Sequence, residues 1–469
     1  VHLKCKAREK EVGLEGILLD NSVRQIDCIN NNNNNNNNHQ ILEGFTQLRE
    51  GNATLFVPQE SLTKNVPPKT PAFFNPAAKQ SRDISMLVYN SFMTLNQFLF
   101  KKEPVTFADT FSGVGARSLR VAMEVPSVDK VLINDKNPMA ISAARRSAEI
   151  NGIEKKCVFS QRDVHVFLND RQSDGRERYV ITDLDPFGSP SPYADSLVRA
   201  ALDGGLVSVT ATDTAVLYGK YPEVCFRKYY SRPINNTYSN EIAVRILLSF
   251  MALIAGRMDL SIEPIFAHSH HHYSRIYLRV HVSSDQANRL ADNIGYVTHC
   301  FRCGDRRKHP YSFLSLACDI CKTKLSIAGP MWIKPMFDRR LISGILDDNN
   351  NKILVEGNHV ADQQSVPSAG NLTNDSSDKG RSSNYKIMMN GTNGRQIFHL
   401  LHRALLELDD LPYYYTLDEI GSLMKTSPHS MVEISEMILR VGFQISRTSF
   451  RPNGFKTDAS IEEIRKLLS

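Results

Sequence analysis

Short apolar runs rich in Val and Ile recur along the middle of the chain, and each ends on an acidic residue. They read VTFAD (105–109), VDKVLIND (128–135), KCVFSQRD (156–163), RYVITDLD (178–185) and GGLVSVTATD (204–213). Near-continuous apolar runs, rather than strict alternation, mark strands buried on both faces. Between them lie GARSLRVAME and PMAISAARRSAEIN, whose apolar positions follow a helical period. Strands alternating with helices predict a parallel sheet covered on both sides. After a long apolar helix, NEIAVRILLSFMALIAGRM, come two further strands, SIEPIFAH and SRIYLRVHV. Only residues 269–273 join them, too few for a crossover, so they should pair as an antiparallel hairpin. Upstream, ATLFVP predicts a short strand, and Ile84, Leu87, Val88, Leu95 and Phe98 share one helix face.

Elsewhere the pattern fails or changes. Residues 1–40 lack it and close on nine asparagines, Asn30 to Asn38. Such a tract cannot bury enough apolar surface to fold and predicts disorder. Residues 346–395 are rich in Asn, Ser, Gly and Asp and read as a disordered linker or insert. Helical periodicity returns over 396–469 and ends in ISRTSFRPNGFKTDAS, which predicts short helices and a strand–turn–strand, a small winged-helix-like α+β domain. The expected layout is therefore an α/β domain over 41–284, a cysteine-bearing segment over 285–345, the insert, and the C-terminal domain.

In open α/β sheets, ligands bind beyond the carboxyl ends of the strands. VTFAD runs into TFSGVGARSLR, where Gly113 and Gly115 let the backbone approach a ligand closely. Ser118 stands where a dehydrogenase fingerprint has its third glycine. Asp135, after the second strand, can take both hydroxyls of a ribose. Asp163, after the third, can accept from an adenine amino group. These features predict an adenosine cofactor. Five parallel strands with a terminal hairpin are the seven-stranded Rossmann-like sheet of S-adenosylmethionine-dependent methyltransferases.

The stretch YVITDLDPFGSPSPYAD supplies the acceptor chemistry. An exocyclic base amine is a poor nucleophile because its lone pair is delocalised into the ring. A carboxylate at Asp185 that accepts one N–H steers the lone pair toward a methyl donor and can take the proton. Pro186 fixes the backbone, and Phe187 offers a face for an extruded base. Asp183 points to the other side of the strand and is expected to be a structural acceptor. The plain alternative is a Pro-Gly turn around a core phenylalanine.

Cys300, Cys303, Cys318 and Cys321 form C-x2-C-x14-C-x2-C. Two such knuckles can close a tetrahedral structural Zn2+ site. HSHHHYS (268–274) has no acid or cysteine with it and reads as a polar loop. Cys5, Cys28, Cys157 and Cys225 are scattered, which argues against a disulfide framework and for a reducing compartment. The formal charge is +6, and Cys300–Arg340 alone holds nine Lys/Arg against three Asp/Glu, which suggests an anionic partner there. No run of about 18 apolar residues occurs, so no membrane span is expected.

On these motifs the chain resembles the tRNA (guanine-26-N2)-dimethyltransferase family, from about Asn52 to Arg340 and again from about Gln396 onward. FFNPAAKQSRDIS is similar to the family's Phe-Tyr-Asn-Pro…Asn-Arg-Asp segment, with Phe74 for Tyr and Ser81 for Asn. DTFSGVGARSLRVAMEVP resembles its cofactor loop, and DLDPFGSP, VTATDTAVLYG, EIAVRILL, GPMWIKP and SRTSFRPNGFKT are similarly related. The resemblance implies transfer of one or two methyls from S-adenosylmethionine to N2 of guanine-26 in tRNA. It implies that Arg82 and Arg117 bind the methionine part of the cofactor and that Asp135, Asp163 and Val164 hold the adenosine. It makes Asp185 the catalytic acid–base, with Phe73 and Phe187 sandwiching the target base. A nuclear or mitochondrial location is implied too, and the basic cysteine segment and C-terminal domain are expected to hold the tRNA body. Two other readings compete. An adenine-N6 methyltransferase shares an Asp-Pro-Pro-aromatic motif but not the TATD strand. A catalytically inactive zinc-ribbon RNA-binding protein would have a broken strand-end set, whereas Asp135, Asp163 and Asp185 are intact.

Overall fold

The computed structural model describes residues 43–100, 104–169, 178–270, 272–310, 315–353 and 391–468. An N-terminal hairpin, β1 (Phe45–Glu50) and β2 (Ala53–Pro58), precedes the main sheet. That sheet contains β3 (Thr106–Asp109), β4 (Lys130–Asn134), β5 (Cys157–Ser160), β6 (Tyr179–Leu184), β7 (Ala201–Ala211), β8 (Leu260–His270) and β9 (Tyr273–Val282). Their order is β5-β4-β3-β6-β7-β9-β8. The first five are parallel, and β9 runs antiparallel to both β7 and β8. Strand order therefore reverses between β3 and β6, where the carboxyl ends leave a crevice for ligands. Val131 and Ile133 of β4, Val180 and Ile181 of β6 and Val207 and Val209 of β7 are all buried, as their apolar runs require. The hairpin strands reach further than expected. They run to His270 and resume at Tyr273, so most of the histidine run belongs to strands and not to a loop.

Helices cover both faces. In α1 (Lys79–Leu95) Ile84, Leu87 and Val88 are buried. The expected extension of that face fails: Leu95 is 47% and Phe98 69% exposed. Asn96 makes the last helical bond, its N–H to Phe92 O, and leaves helical geometry at φ −114° and ψ 18°, so the period stops before Phe98. The helix α2 (Ala116–Glu124) follows β3, and α3 (Pro138–Ile150) follows β4. The side chain of Asn137 caps α3 by accepting the Met139 N–H, with Pro138 in the first turn. The helix α4 (Ser239–Gly256) is long and apolar enough to cross a membrane, but it is mostly buried inside the protein. Its Glu241 and Arg245 pair at 2.9 Å with no exposure, so it packs as a core helix.

A three-stranded antiparallel sheet follows, β10 (Ile294–His299), β11 (Arg306–Pro310) and β12 (Ser326–Trp332), in the order β11-β10-β12. The helices α5 (Arg339–Ile353) and α6 (Gly391–Leu406) enter the expected insert from its two sides. Residues 354–390 and the asparagine tract lie outside the described residues. Ile397, Leu401 and Ala404 of α6 join the main core, so the boundary expected at 396 falls within a helix of the main body.

Beyond it come β13 (Tyr415–Thr416), α7 (Leu417–Met424), α8 (Met431–Arg440), β14 (Ile445–Arg447), β15 (Gly454–Thr457) and α9 (Ile461–Leu468). They share a small core of their own that includes Ile420, Ile434, Ile438, Phe455 and Ile464. A buried ionic cluster ties this unit to α4. Lys456 Nζ lies 2.6 Å from Glu241 Oε1 and 3.0 Å from Glu407 Oε1, and none of the three side chains is exposed.

Candidate active site

A cavity of about 690 Å³ opens at the carboxyl ends of the parallel strands. Asp109, Asp135, Asp163 and Asp185, each at or just beyond a strand end, all line it. So do Phe73, Arg82, Gly113, Arg117, Val164 and Phe187, and Gly115 does not. Gly115 serves protein packing and is not on the cavity wall, whereas Gly113 is both tightly packed and exposed to the cavity. Gly115 has φ +79°, and a Cβ there would sit 2.9 Å from Ala144 Cβ on α3. Gly113 has φ +52°, and a Cβ would meet the Phe73 carbonyl oxygen at 2.9 Å. Both positions need the left-handed conformation that glycine adopts without strain.

Asp135 is fixed by its own loop: Oδ2 accepts the Gly113 N–H at 2.8 Å and Oδ1 the Asn137 N–H at 2.9 Å. Each carboxylate oxygen keeps a second lone-pair site, so a vicinal diol fits this carboxylate. Asp163 is exposed; its Oδ1 accepts the His165 N–H at 3.0 Å. Arg82 donates from Nε and Nη2 to the two Glu50 oxygens, each at 2.6 Å, and from Nη2 to Asn75 O at 3.1 Å. Burial opposes ionisation of Glu50, but the guanidiniums of Arg82 and Arg120 outweigh it and hold the carboxyl at about 2.

Arg117 turns out to be the partner of Asp185. Its Nη2 donates to Asp185 Oδ2 at 2.6 Å and its Nη1 to Ser85 Oγ at 2.6 Å, while Nε lies 3.6 Å from Asp183. Among the described residues no hydrogen bond reaches Asp185 Oδ1. Asp183 is wholly buried and accepts from Tyr89, Ser208 and Arg275, the structural role expected of it. Burial would raise its carboxyl, but Arg117 and Arg275 bring it down to about 2. Asp109 goes the other way: burial and the charge of Asp183 push it up to about 7. Ser118, where the third glycine of a dehydrogenase would stand, donates to Asp109 Oδ2 at 2.6 Å. Two buried acids under one cavity are thus driven apart, one ionised and one holding its proton toward neutral pH.

The turn after Asp185 is clamped by the end of β7. Gly188 donates its N–H to Thr212 Oγ1 at 2.6 Å, and Thr212 N–H returns to Gly188 O at 2.9 Å. Ser189 donates to the Tyr229 hydroxyl, which donates to Asp213 Oδ1, both at 2.7 Å. The TATD motif therefore holds the DPFGS turn in place. Phe187 is 58% exposed and meets Phe73 edge to face, ring centroids 4.6 Å apart at 83°. A base between two parallel rings needs two van der Waals spacings, roughly 7–8 Å. The expected sandwich is therefore not preformed; the rings touch.

A family model described as N2,N2-dimethylguanosine tRNA methyltransferase matches residues 51–363 and 373–469. The chain belongs to this family. A tRNA (guanine(26)-N(2))-dimethyltransferase of Methanothermobacter thermautotrophicus is 32% identical over 424 residues, 90% of this chain and 98% of that protein. A tRNA (guanine(26)-N(2)/guanine(27)-N(2))-dimethyltransferase of Aquifex aeolicus is 32% identical over 314 residues, covering 66% and 77%. Among solved structures, Trm1 from Pyrococcus horikoshii in complex with S-adenosyl-L-methionine superposes with a TM-score of 0.69 at 26% identity, covering 90% of this chain and 99% of that one.

Within this dimethyltransferase fold, other cavity residues escaped the strand-end rule. Phe111 and Tyr193 line the cavity and meet edge to face at 5.1 Å. Tyr193 closes the quoted SPSPY segment, whose second proline hides its direction. His272 and Tyr273 also line the cavity, so the histidine run set aside as a loop reaches the site with its last members.

The cysteines lie apart from this cavity. Their four Sγ atoms fall within 4.8 Å of one another, with Cys300–Cys321 at 3.4 Å and Cys303–Cys318 at 3.5 Å. Tetrahedral zinc with Zn–S near 2.3 Å sets sulfurs roughly 3.8 Å apart. The two knuckles are alike: Gly304 N–H bonds Cys300 O at 2.8 Å and Lys322 N–H bonds Cys318 O at 2.9 Å. Both Gly304 and Lys322 are left-handed, with φ +82° and +58°. The donor set fits a closed zinc site.

Proposed function

We propose that this protein transfers one or two methyl groups from S-adenosylmethionine to the exocyclic N2 of guanine-26 in tRNA. The observation that carries the reading is Asp185, held by buried Arg117 at the rim of a cavity lined by the strand-end acids. In this reading Asp135 takes the ribose diol of the cofactor, and Asp163 with Val164 takes the adenine. Arg82 and Arg117 lie on the methionine side, although both are also engaged with protein carboxylates. S-adenosylmethionine supplies the electrophilic methyl. Asp185 accepts one N–H of the guanine amine, aligns its lone pair and takes that proton as the N–C bond forms. Arg117 fixes the orientation of the carboxylate. The rings of Phe73 and Phe187 part to take the extruded base.

Further elements support the substrate side. The order α6-β13-α7-α8-β14-β15, with sheet order β13-β15-β14, suits a winged-helix-like unit. The three-stranded sheet with its cysteine knuckles suits a zinc ribbon. Both would hold the tRNA body, chiefly through phosphates.

The test uses labelled S-adenosylmethionine and an unmodified tRNA transcript, followed by nucleoside identification and mapping. The native protein should form N2-methylguanosine and N2,N2-dimethylguanosine at position 26. Asp185→Asn should lower the single-turnover rate by about 10²–10⁴-fold while cofactor and tRNA still bind. A native-like rate in that variant removes Asp185 from the mechanism. Product at another base or atom overturns the function. Mapping also separates position 26 from the 26/27 range in the name of the Aquifex relative.

A further inference from the structure

The strand end that clamps the Asp185 turn leads into a surface that the chemistry above does not use. After Asp213 the chain reaches the helix Pro222–Tyr229. Three rings on it and at its two ends face outward: Tyr221, Phe226 and Tyr230 are 47%, 49% and 51% exposed. Cations are interleaved with them. Lys220 Nζ stands 5.6 Å over the Tyr221 ring, and the Arg232 guanidinium stands 5.2 Å over Phe226. Arg227 and Lys228 sit on the same helix; Lys228 pairs with Asp213 at 3.2 Å and Arg232 with Glu223 at 3.8 Å, so four cations face two acids here.

Tyr230 adds an independent sign. Its φ is +55°, just past the helix end, in a left-handed position normally given to glycine or asparagine. A bulky residue held there is strained, and such strain concentrates at functional sites. The surface also joins the active site. Tyr229, between Phe226 and Tyr230, is buried, and its hydroxyl links Ser189 to Asp213. Ser189 is two residues past Phe187, and Asp213 is one residue past Thr212, which lines the cavity.

We propose that this aromatic–basic surface is a second RNA-contact site, on which nucleotides flanking the target guanine stack once that base is extruded. The inference rests on the tRNA reading above. Extrusion strips the neighbouring bases of a stacking partner, and exposed rings beside the pocket replace it in a sequence-tolerant way. The interleaved cations neutralise the adjoining phosphates.

The variants are Phe226→Ala, Tyr230→Asn and the pair together, made in the full chain. Each lost stack should weaken binding of an unmodified tRNA transcript by roughly five- to 150-fold. The rate at saturating tRNA should stay within about threefold, and cofactor affinity should not change. Asparagine tolerates the left-handed conformation, so Tyr230→Asn should keep or raise the melting temperature while it weakens RNA binding. A 2-aminopurine at position 25 or 27 should change its fluorescence on binding the native protein and less so with the double variant. Unchanged tRNA affinity in the double variant overturns the proposal and leaves the surface to a protein partner. A parallel fall in melting temperature and cofactor affinity also overturns it, in favour of a structural role. If the native protein does not methylate guanine-26, the underlying reading fails instead.

Discussion

The substitution Asp109→Asn should stabilise the protein above neutral pH and do so clearly less at pH 5. Asp109 is 2% exposed, and burial together with the charge of Asp183 lifts its carboxyl from the ordinary 3.8 to about 7. In the unfolded chain it ionises near pH 4. Between about pH 4 and 7 the folded protein therefore binds more protons than the unfolded chain, so stability falls as pH rises through that window. Roughly three units at about 1.4 kcal/mol each set a ceiling of about 4 kcal/mol on the loss. Asparagine keeps the shape and an oxygen for the Ser118 hydroxyl, now 2.6 Å away. Arg117 loses an anionic neighbour, which offsets part of the gain and leaves about 2–3 kcal/mol at pH 8. Unfolding entropy scales with chain length, so this corresponds to a rise of about 2–4 °C. Melting followed by circular dichroism at pH 5 and pH 8, at one ionic strength, measures it. An equal shift at both values, or a lower melting point at pH 8, would refute the assignment of a protonated Asp109.

Other perturbations test other layers. Cys318→Ser should lower the zinc content from one per chain in elemental analysis and loosen its segment, because metal binding and local folding are linked; full occupancy in the variant would exclude the site. Lys456→Met should leave Glu241 and Glu407 buried without their shared cation and destabilise by about 3–5 kcal/mol in thermal melts; a loss below about 1 kcal/mol would mean that water reaches the cluster. Thr212→Val removes the acceptor of the Gly188 N–H and should lower kcat by about tenfold, with KM for the cofactor unchanged. Affinity for tRNA should fall with salt at a log–log slope of roughly −0.7 to −0.9 per phosphate contact; a flat profile would refute phosphate-led binding.

The sheet was legible because strands buried on both faces write themselves as apolar runs, as in KVLIN of β4 and YVITDL of β6. The acids at their ends were legible because topology alone brings Asp135, Asp163 and Asp185 to one edge. What stayed hidden depends on distance along the chain or on the third dimension. Phe98 kept a helical period that the Asn96 cap had already ended, and Leu95, in the last turn, faces solvent. Gly115 is required by Ala144 on a different helix, which no local pattern shows. Arg117 could be given a cofactor role from the motif, but its grip on Asp185, 68 positions away, could not be read. The contact between Phe73 and Phe187 is equally invisible in two separate motifs. Glu241, Glu407 and Lys456 look like surface residues until their burial is seen.

The buried cluster on α4 also bears on how the molecule is made. Lys456 lies 215 positions after Glu241, and the ribosome delivers them in that order. While the chain is being synthesised, the catalytic sheet and α4 can assemble with Glu241 held by Arg245 alone, its second cation not yet translated. Domains fold from the N-terminus as they emerge, and a buried ionic cluster is stable only when its hydrogen-bonded partners are all in place. Docking of the C-terminal strand therefore adds the second partner of a carboxylate at the heart of the catalytic body. The ionic cluster thus couples the stability of α4, beneath the catalytic sheet, to a strand made more than two hundred residues later.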